Sequence, residues 1–78
     1  MPTVLRIGPY RLFFYSGDGG EPPHVHVERD DNTAKVWHDP VRLSSSAGFK
    51  AQELRDIVAI VVTHRATILE TWNDNFGT

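Results

Sequence analysis

His24 and His26 stand two residues apart in the run Pro22-Pro23-His24-Val25-His26-Val27. Side chains alternate along a strand, so both imidazoles fall on one face of it. Pro22 and Pro23 lack a backbone N–H and fix the start of that strand outside a regular ladder. Imidazole titrates near neutrality and is a common metal ligand, so two chemistries are open. As metal ligands, the pair offers two nitrogens, with Glu28, His64 or an aspartate to complete the set. The spacing fixes no third ligand, which predicts weak zinc or nickel binding, no metal site and no cofactor. As acid and base, the rings suit a metal-free ribonuclease. One would take the 2′-hydroxyl proton and the other would protonate the leaving oxygen. Arg65 would steady the charge at phosphorus, and Tyr15 or Tyr10 could replace either ring. The alternative without chemistry has one histidine donating to a backbone carbonyl while the other packs on Trp37 or Tyr15.

The elements that position these residues read as an α+β chain: a small antiparallel sheet of four to five strands followed by one long C-terminal helix packed on one face. Val4 to Ile7 and Tyr10 to Ser16 are strands joined by a Gly8-Pro9 turn, where glycine supplies positive φ. Gly17 to Glu21 is a glycine-rich loop. His24 to Arg29 and Thr33 to His38 form a hairpin. Pairing Val27 with Val36 sets Glu28 opposite Lys35, with Asp31-Asn32 as the turn. His24, His26 and Glu28 then share a face with Lys35 and Trp37, while His38 lies on the other with Val25, Val27 and Val36. Val41 to Leu43 is a short fifth strand and Ser44 to Gly48 a loop.

The helix is expected from about Ala51 to Asn75. Phe49 and Leu54 occupy hydrophobic-staple positions and Glu53 that of a capping-box acid, while Lys50 is a poor N-cap. Leu54, Ile57, Val58, Val61, Ile68, Leu69 and Trp72 form its apolar stripe. Arg65 falls in the middle of that stripe and His64 at its edge. A guanidinium there needs a partner or a cleft. Either it snorkels to the sheet edge or pairs with a carboxylate, or it projects into a cleft shared with His24 and His26.

The 78 residues form one domain, 40% hydrophobic, with a net charge of −2 and no cysteine. A core this small is thinly stable, and contact with a partner protein or a second copy of the chain would help. Disulfides and thiolate metal sites are excluded, and the composition fits a reducing cytoplasm. Met1-Pro2-Thr3 lacks a charged leader and an apolar stretch, so no signal peptide is expected. The run Ile57 to Val62 is far too short to span a bilayer. The acidic balance argues against a strongly basic nucleic-acid surface but allows a local basic patch. Walker, GxGxxG and GxSxG motifs are absent.

Several segments together resemble the prokaryotic "domain of unknown function 4160" family. They are Met1-Pro2-Thr3-Val4-Leu5-Arg6-Ile7, Phe13-Phe14-Tyr15, Glu21 to Val27, Ala34-Lys35-Val36-Trp37 with Asp39-Pro40-Val41, and His64-Arg65 followed by Leu69-Glu70 and Trp72. The resemblance covers nearly the whole chain, and Pro-Pro-His-x-His-Val is its most specific part. The family pattern falls on Pro23, His24, His26, His64, Arg65 and Trp72. Glu21 stands where asparagine is common and His38 where many members carry an apolar residue, which sets His38 outside any shared site.

The resemblance implies a toxin-like component of a bacterial toxin–antitoxin pair. Its partner would be an operon-encoded, antitoxin-like protein that sometimes carries a DNA-binding domain. RNA is the expected substrate or ligand, with His24, His26, His64 and Arg65 as catalytic candidates and Tyr15 and Trp37 as binding candidates. Two other classes stay open: a non-catalytic protein-interaction module and a metal-dependent hydrolase built on the His-x-His pair.

Overall fold

A computed structural model describes residues 3–77; Met1 and Pro2, on which part of the leader reading rests, lie outside them. Five strands form one antiparallel sheet in chain order: β1 (Thr3–Ile7), β2 (Tyr10–Phe13), β3 (His24–Arg29), β4 (Asn32–His38) and β5 (Val41–Ala47). Two helices follow, α1 (Ala51–Thr63) and α2 (Arg65–Phe76). The expected α+β architecture is therefore observed. Gly8 takes the positive φ, 54°, that the first turn requires.

The central hairpin pairs Val25 with Val36, His26 with Lys35 and Glu28 with Thr33. This is two residues away from the expected register. Because side chains repeat every two residues, the shift leaves every residue on its expected face. Its cause is the turn, which falls on Asp30-Asp31 rather than Asp31-Asn32. Asp30 adopts the left-handed conformation at φ 56°, which aspartate tolerates better than most residues. The shift exchanges ion-pair partners. Lys35 meets Glu21 at 2.6 Å, and Glu28 pairs with Arg11 at 2.8 Å.

Leu12, Phe14, Val25, Val27 and Val36 form the inner face of the sheet, and Ile57, Val61, Ile68 and Trp72 of the helices close over it. β5 is longer than expected. Ser44 to Ala47 continue the strand and pair with β4 as far as Thr33, past an irregularity between Lys35 and Val36. A polar run can do this at a sheet edge, where nothing packs on it from outside. Glu53 does not close a capping box. Its carboxylate accepts hydrogen bonds from the Tyr10 hydroxyl and from Arg29 Nη2, each at 2.8 Å, and so joins β2 and β3 to α1.

The single long helix is broken at His64, whose φ and ψ are −109° and 21°. The carbonyl of Ile60 accepts from the backbone N–H of His64 at 3.1 Å and lies 2.9 Å from its Nδ1. The break resets the helical phase. Ile68 and Trp72 remain buried, but Arg65 turns out to solvent and Leu69 is left partly exposed. The expected placement of Arg65 within the apolar stripe is thus corrected, and no buried partner is needed. No helix among the described residues is long and apolar enough to cross a membrane.

Candidate functional site

The face of the sheet turned away from the helices carries His26, Phe13, Tyr15, Lys35 and Trp37. β2 ends at Phe13, and the chain then turns back so that Asp18 arrives beside β3. The turn is closed reciprocally: Tyr15 N–H donates to Asp18 Oδ2 at 2.9 Å, and Asp18 N–H donates to the Tyr15 carbonyl at 3.1 Å. A short 3-10 helix, Asp18–Gly20, follows. Phe76 of α2 packs so closely there that a Cβ on Gly19 would lie 2.8 Å from its ring. The glycine-rich loop is thus held by the Tyr15–Asp18 hydrogen bonds at one end and by Phe76 at the other.

Asp18 faces both histidines. His26 Nε2 lies 3.0 Å from Asp18 Oδ2, and His24 Nε2 lies 3.2 Å from Oδ1. The two imidazoles are nearly perpendicular, 5.1 Å between centres. His24 Nδ1 is 2.8 Å from the Pro22 carbonyl. A carbonyl only accepts, so this nitrogen carries the proton. Pro22-Pro23 thereby fixes the tautomer as well as the strand start. Trp37 and Trp72 pack on the His24 ring at 5.4 and 5.3 Å, and its exposure is 0%. His24 Nε2 is buried and makes no hydrogen bond, although the carboxylate is near.

His26 sits at the rim. Tyr15 meets its ring edge-on at 4.6 Å and Phe13 stacks on it at 5.5 Å. Burial pushes the His26 pKa down, with His24 and Lys35 acting in the same direction and Asp18 opposing; the net is a fall from its ordinary value. Burial pushes Asp18 up, but the Tyr15 N–H and the two imidazoles outweigh it, and its carboxyl titrates below the ordinary value. Beyond His26 lies a cleft of about 260 Å³ lined by Phe13, Tyr15, Thr33, Lys35 and Ser45.

Of the catalytic candidates, His24 and His26 come together, with the binding candidates Tyr15 and Trp37 against them. His64 and Arg65 do not join them. They belong to the helices on the opposite face, where the Arg65 carbonyl meets His38 Nε2 at 3.0 Å. The expected cleft shared by His24, His26 and Arg65 is not formed, because the helix lies over the valine face. Sequence reasoning did not single out Asp18, the third member of a cluster whose ligand atoms all lie within 4.8 Å of one another. The signal available was an aspartate three residues after Tyr15 in a glycine-rich turn, where an Asx side chain commonly bonds a nearby main-chain N–H.

The arrangement limits the acid–base reading. His24 has no surface with which to touch a substrate, so the two histidines cannot act as a free pair on either side of a phosphate. A family model described as "Domain of unknown function (DUF4160)" matches residues 10–73, which include Asp18, His24 and His26. No curated protein and no solved structure matches the chain.

Proposed function

The chain belongs to the DUF4160 family, and we propose that it is the toxin-like member of a bacterial toxin–antitoxin pair, binding single-stranded RNA on the open face of its sheet. The observation that carries this reading is the interleaving of aromatic rings and cations on that face. Arg11 lies over the Phe13 ring at 4.5 Å and Lys35 over Trp37 at 4.5 Å. Tyr15 stands 44% exposed at the mouth of the cleft. An antiparallel sheet that offers stacking rings beside positive charges is a common platform for unpaired bases and their phosphates. The acidic net charge of the chain does not conflict with so local a patch.

The test is expression of the chain alone and with its gene neighbour, read as growth, beside fluorescence anisotropy of the purified protein with a labelled single-stranded RNA. Growth arrest relieved by the neighbour, with RNA binding weakened by Tyr15→Ala, supports the reading. Normal growth and no RNA binding by folded protein overturn it.

A second reading, a protein-interaction module, is favoured by β5. It is an edge strand, exposed from Arg42 to Ala47, and edge strands accept an added strand from a partner. The antitoxin-like neighbour and a second copy of the chain are the occupants to test, by light scattering of the protein alone and mixed.

A further inference from the structure

We propose that Asp18, His24 and His26 bind one late first-row divalent cation, of the zinc or nickel class. The inference concerns one corner of the open face and stands whether or not RNA is the ligand there.

The first ground is the unpartnered nitrogen. His24 Nε2 is fully buried and makes no hydrogen bond. With Nδ1 protonated toward the Pro22 carbonyl at 2.8 Å, Nε2 presents a lone pair. Asp18 Oδ1 lies 3.2 Å away, outside hydrogen-bond alignment. A lone pair set beside a carboxylate in a dry pocket is unfavourable unless positive charge sits between them. A proton on His24 would supply that charge as an ion pair with Asp18 at 3.2 Å, but it would serve one imidazole only, while His26 Nε2 approaches the same carboxylate at 3.0 Å. A metal ion satisfies the nitrogen and the carboxylate together.

The second ground is the geometry of the donor set. Both Nε2 atoms converge on one carboxylate, and the three donors lie within 4.8 Å of one another. Metal bonds of about 2.0–2.1 Å in a tetrahedral site place ligand atoms about 3.3 Å apart. The nitrogen-to-oxygen separations, 3.2 Å from His24 to Oδ1 and 3.0 Å from His26 to Oδ2, are near that value. The whole set spans up to 4.8 Å, so the carboxylate and the rim ring of His26 close inward on the ion.

The third ground is support behind the ligands. A metal-bound imidazole usually donates its other N–H to a carbonyl or carboxylate, which fixes its tautomer. The Pro22 carbonyl does this for His24. The Tyr15 N–H does the equivalent for Asp18 at 2.9 Å. Tyr15, Phe13 and Trp37 surround the cluster with rings, leaving access from the His26 side. Two imidazoles and one carboxylate favour zinc, nickel or copper over magnesium or calcium, which prefer oxygen. Three protein ligands leave a position for water or a substrate oxygen. The premise behind an expectation of weak binding, that no third ligand is certain, therefore does not hold.

The test is titration calorimetry of the untagged protein with zinc chloride and nickel chloride, and with magnesium chloride as a control. One equivalent of zinc or nickel is expected to bind, and magnesium not at all. Asp18→Asn and His26→Ala should each weaken zinc by at least about tenfold, while His64→Ala binds like the parent chain. Circular dichroism checks that each variant is folded without metal. His26 is at the rim, so its variant carries the test should Asp18→Asn unfold. Absence of binding by the folded parent chain overturns the proposal, as does zinc affinity unchanged in both site variants. Because no RNA is present, zinc binding without RNA binding would reject only the reading of the preceding subsection, and the converse only this one.

Discussion

His38 Nε2 lies 3.0 Å from the backbone carbonyl of Arg65, so the sheet is latched to the start of α2 where the helix breaks. The ring is buried beneath the helix, and the backbone N–H of His38 donates to the Pro23 carbonyl at 3.0 Å. One residue thus joins the strand that starts with His24 to the helix that carries Trp72. Its role is structural, on the face opposite the histidine cluster.

His38→Ala should therefore destabilise the chain by about 2 kcal/mol, combining a lost hydrogen bond with the void left by the ring. Arg65→Ala, altering only an exposed side chain, should stay within about 0.5 kcal/mol of the parent. Urea denaturation of both variants at neutral pH measures this. A larger loss for Arg65 than for His38 would return Arg65 to the core.

Acid should weaken the site in two stages. His26 has a folded pKa below its ordinary 6.5. The unfolded chain therefore takes up the proton first, and stability falls as pH drops through 6.5 toward the lower folded value. Asp18 is held below its ordinary 3.8, so its contribution is present above that pH and is lost as pH falls through its folded value. Urea midpoints at pH 7.5, 6.0 and 5.0 should decline for the parent chain, and His26→Gln should flatten that decline. An unchanged slope in the variant would place the titrating group elsewhere.

The parts legible in the sequence were those governed by periodicity. The alternation from His24 to Arg29 fixed a face for each side chain, and that assignment survived a two-residue error in register because the strand period is two. Which face the helix covers was not legible. A cleft shared by His24, His26 and Arg65 requires the helix over the histidine face, whereas it packs on Val25, Val27 and Val36. What else escaped was what depends on a single residue's conformation. Asp30 in the left-handed region moved the turn. His64 interrupted the helical phase, so Arg65, counted at 100° per residue from Val61, pointed to the wrong side. Asp18 was hidden for a related reason. It reaches the histidines only because the turn after Tyr15 brings it back to β3, and no strand or helix period records such a turn.

On the open face, Tyr15 and Lys35 should contribute differently to RNA binding. Tyr15→Ala removes a stacking surface worth about 1–3 kcal/mol for one base, and so should lower affinity about tenfold at any salt concentration. Lys35→Ala should lower affinity less as salt rises, and should reduce the slope of log affinity against log salt by about 0.7 if one phosphate contact is lost. Anisotropy titrations at three salt concentrations separate the two. Identical salt slopes in the parent and both variants would mean that Lys35, paired with Glu21 at 2.6 Å, stays with its own carboxylate and does not meet phosphate.

Gly19 and Phe76 should be energetically coupled, because the Asp18 turn and the end of α2 occupy adjoining space. A Cβ on Gly19 would come within 2.8 Å of Phe76 Cδ1 and 3.2 Å of Cγ, too near for the ring to avoid by a small rotation. Phe76 is itself packed on Trp72 at 4.4 Å and on Phe14 at 5.8 Å, so it has little room to withdraw. Gly19→Ala should then cost about 1–3 kcal/mol through overpacking, and should displace Asp18 from the histidines. With Phe76→Ala already in place the clash is gone, and the same change should cost no more than about 0.5 kcal/mol. Denaturation of the two single variants and the double variant gives the coupling directly. Equal costs for Gly19→Ala in both backgrounds would show that the turn is not braced by the helix end. The histidine cluster would then owe its third member to the Tyr15–Asp18 hydrogen bonds alone.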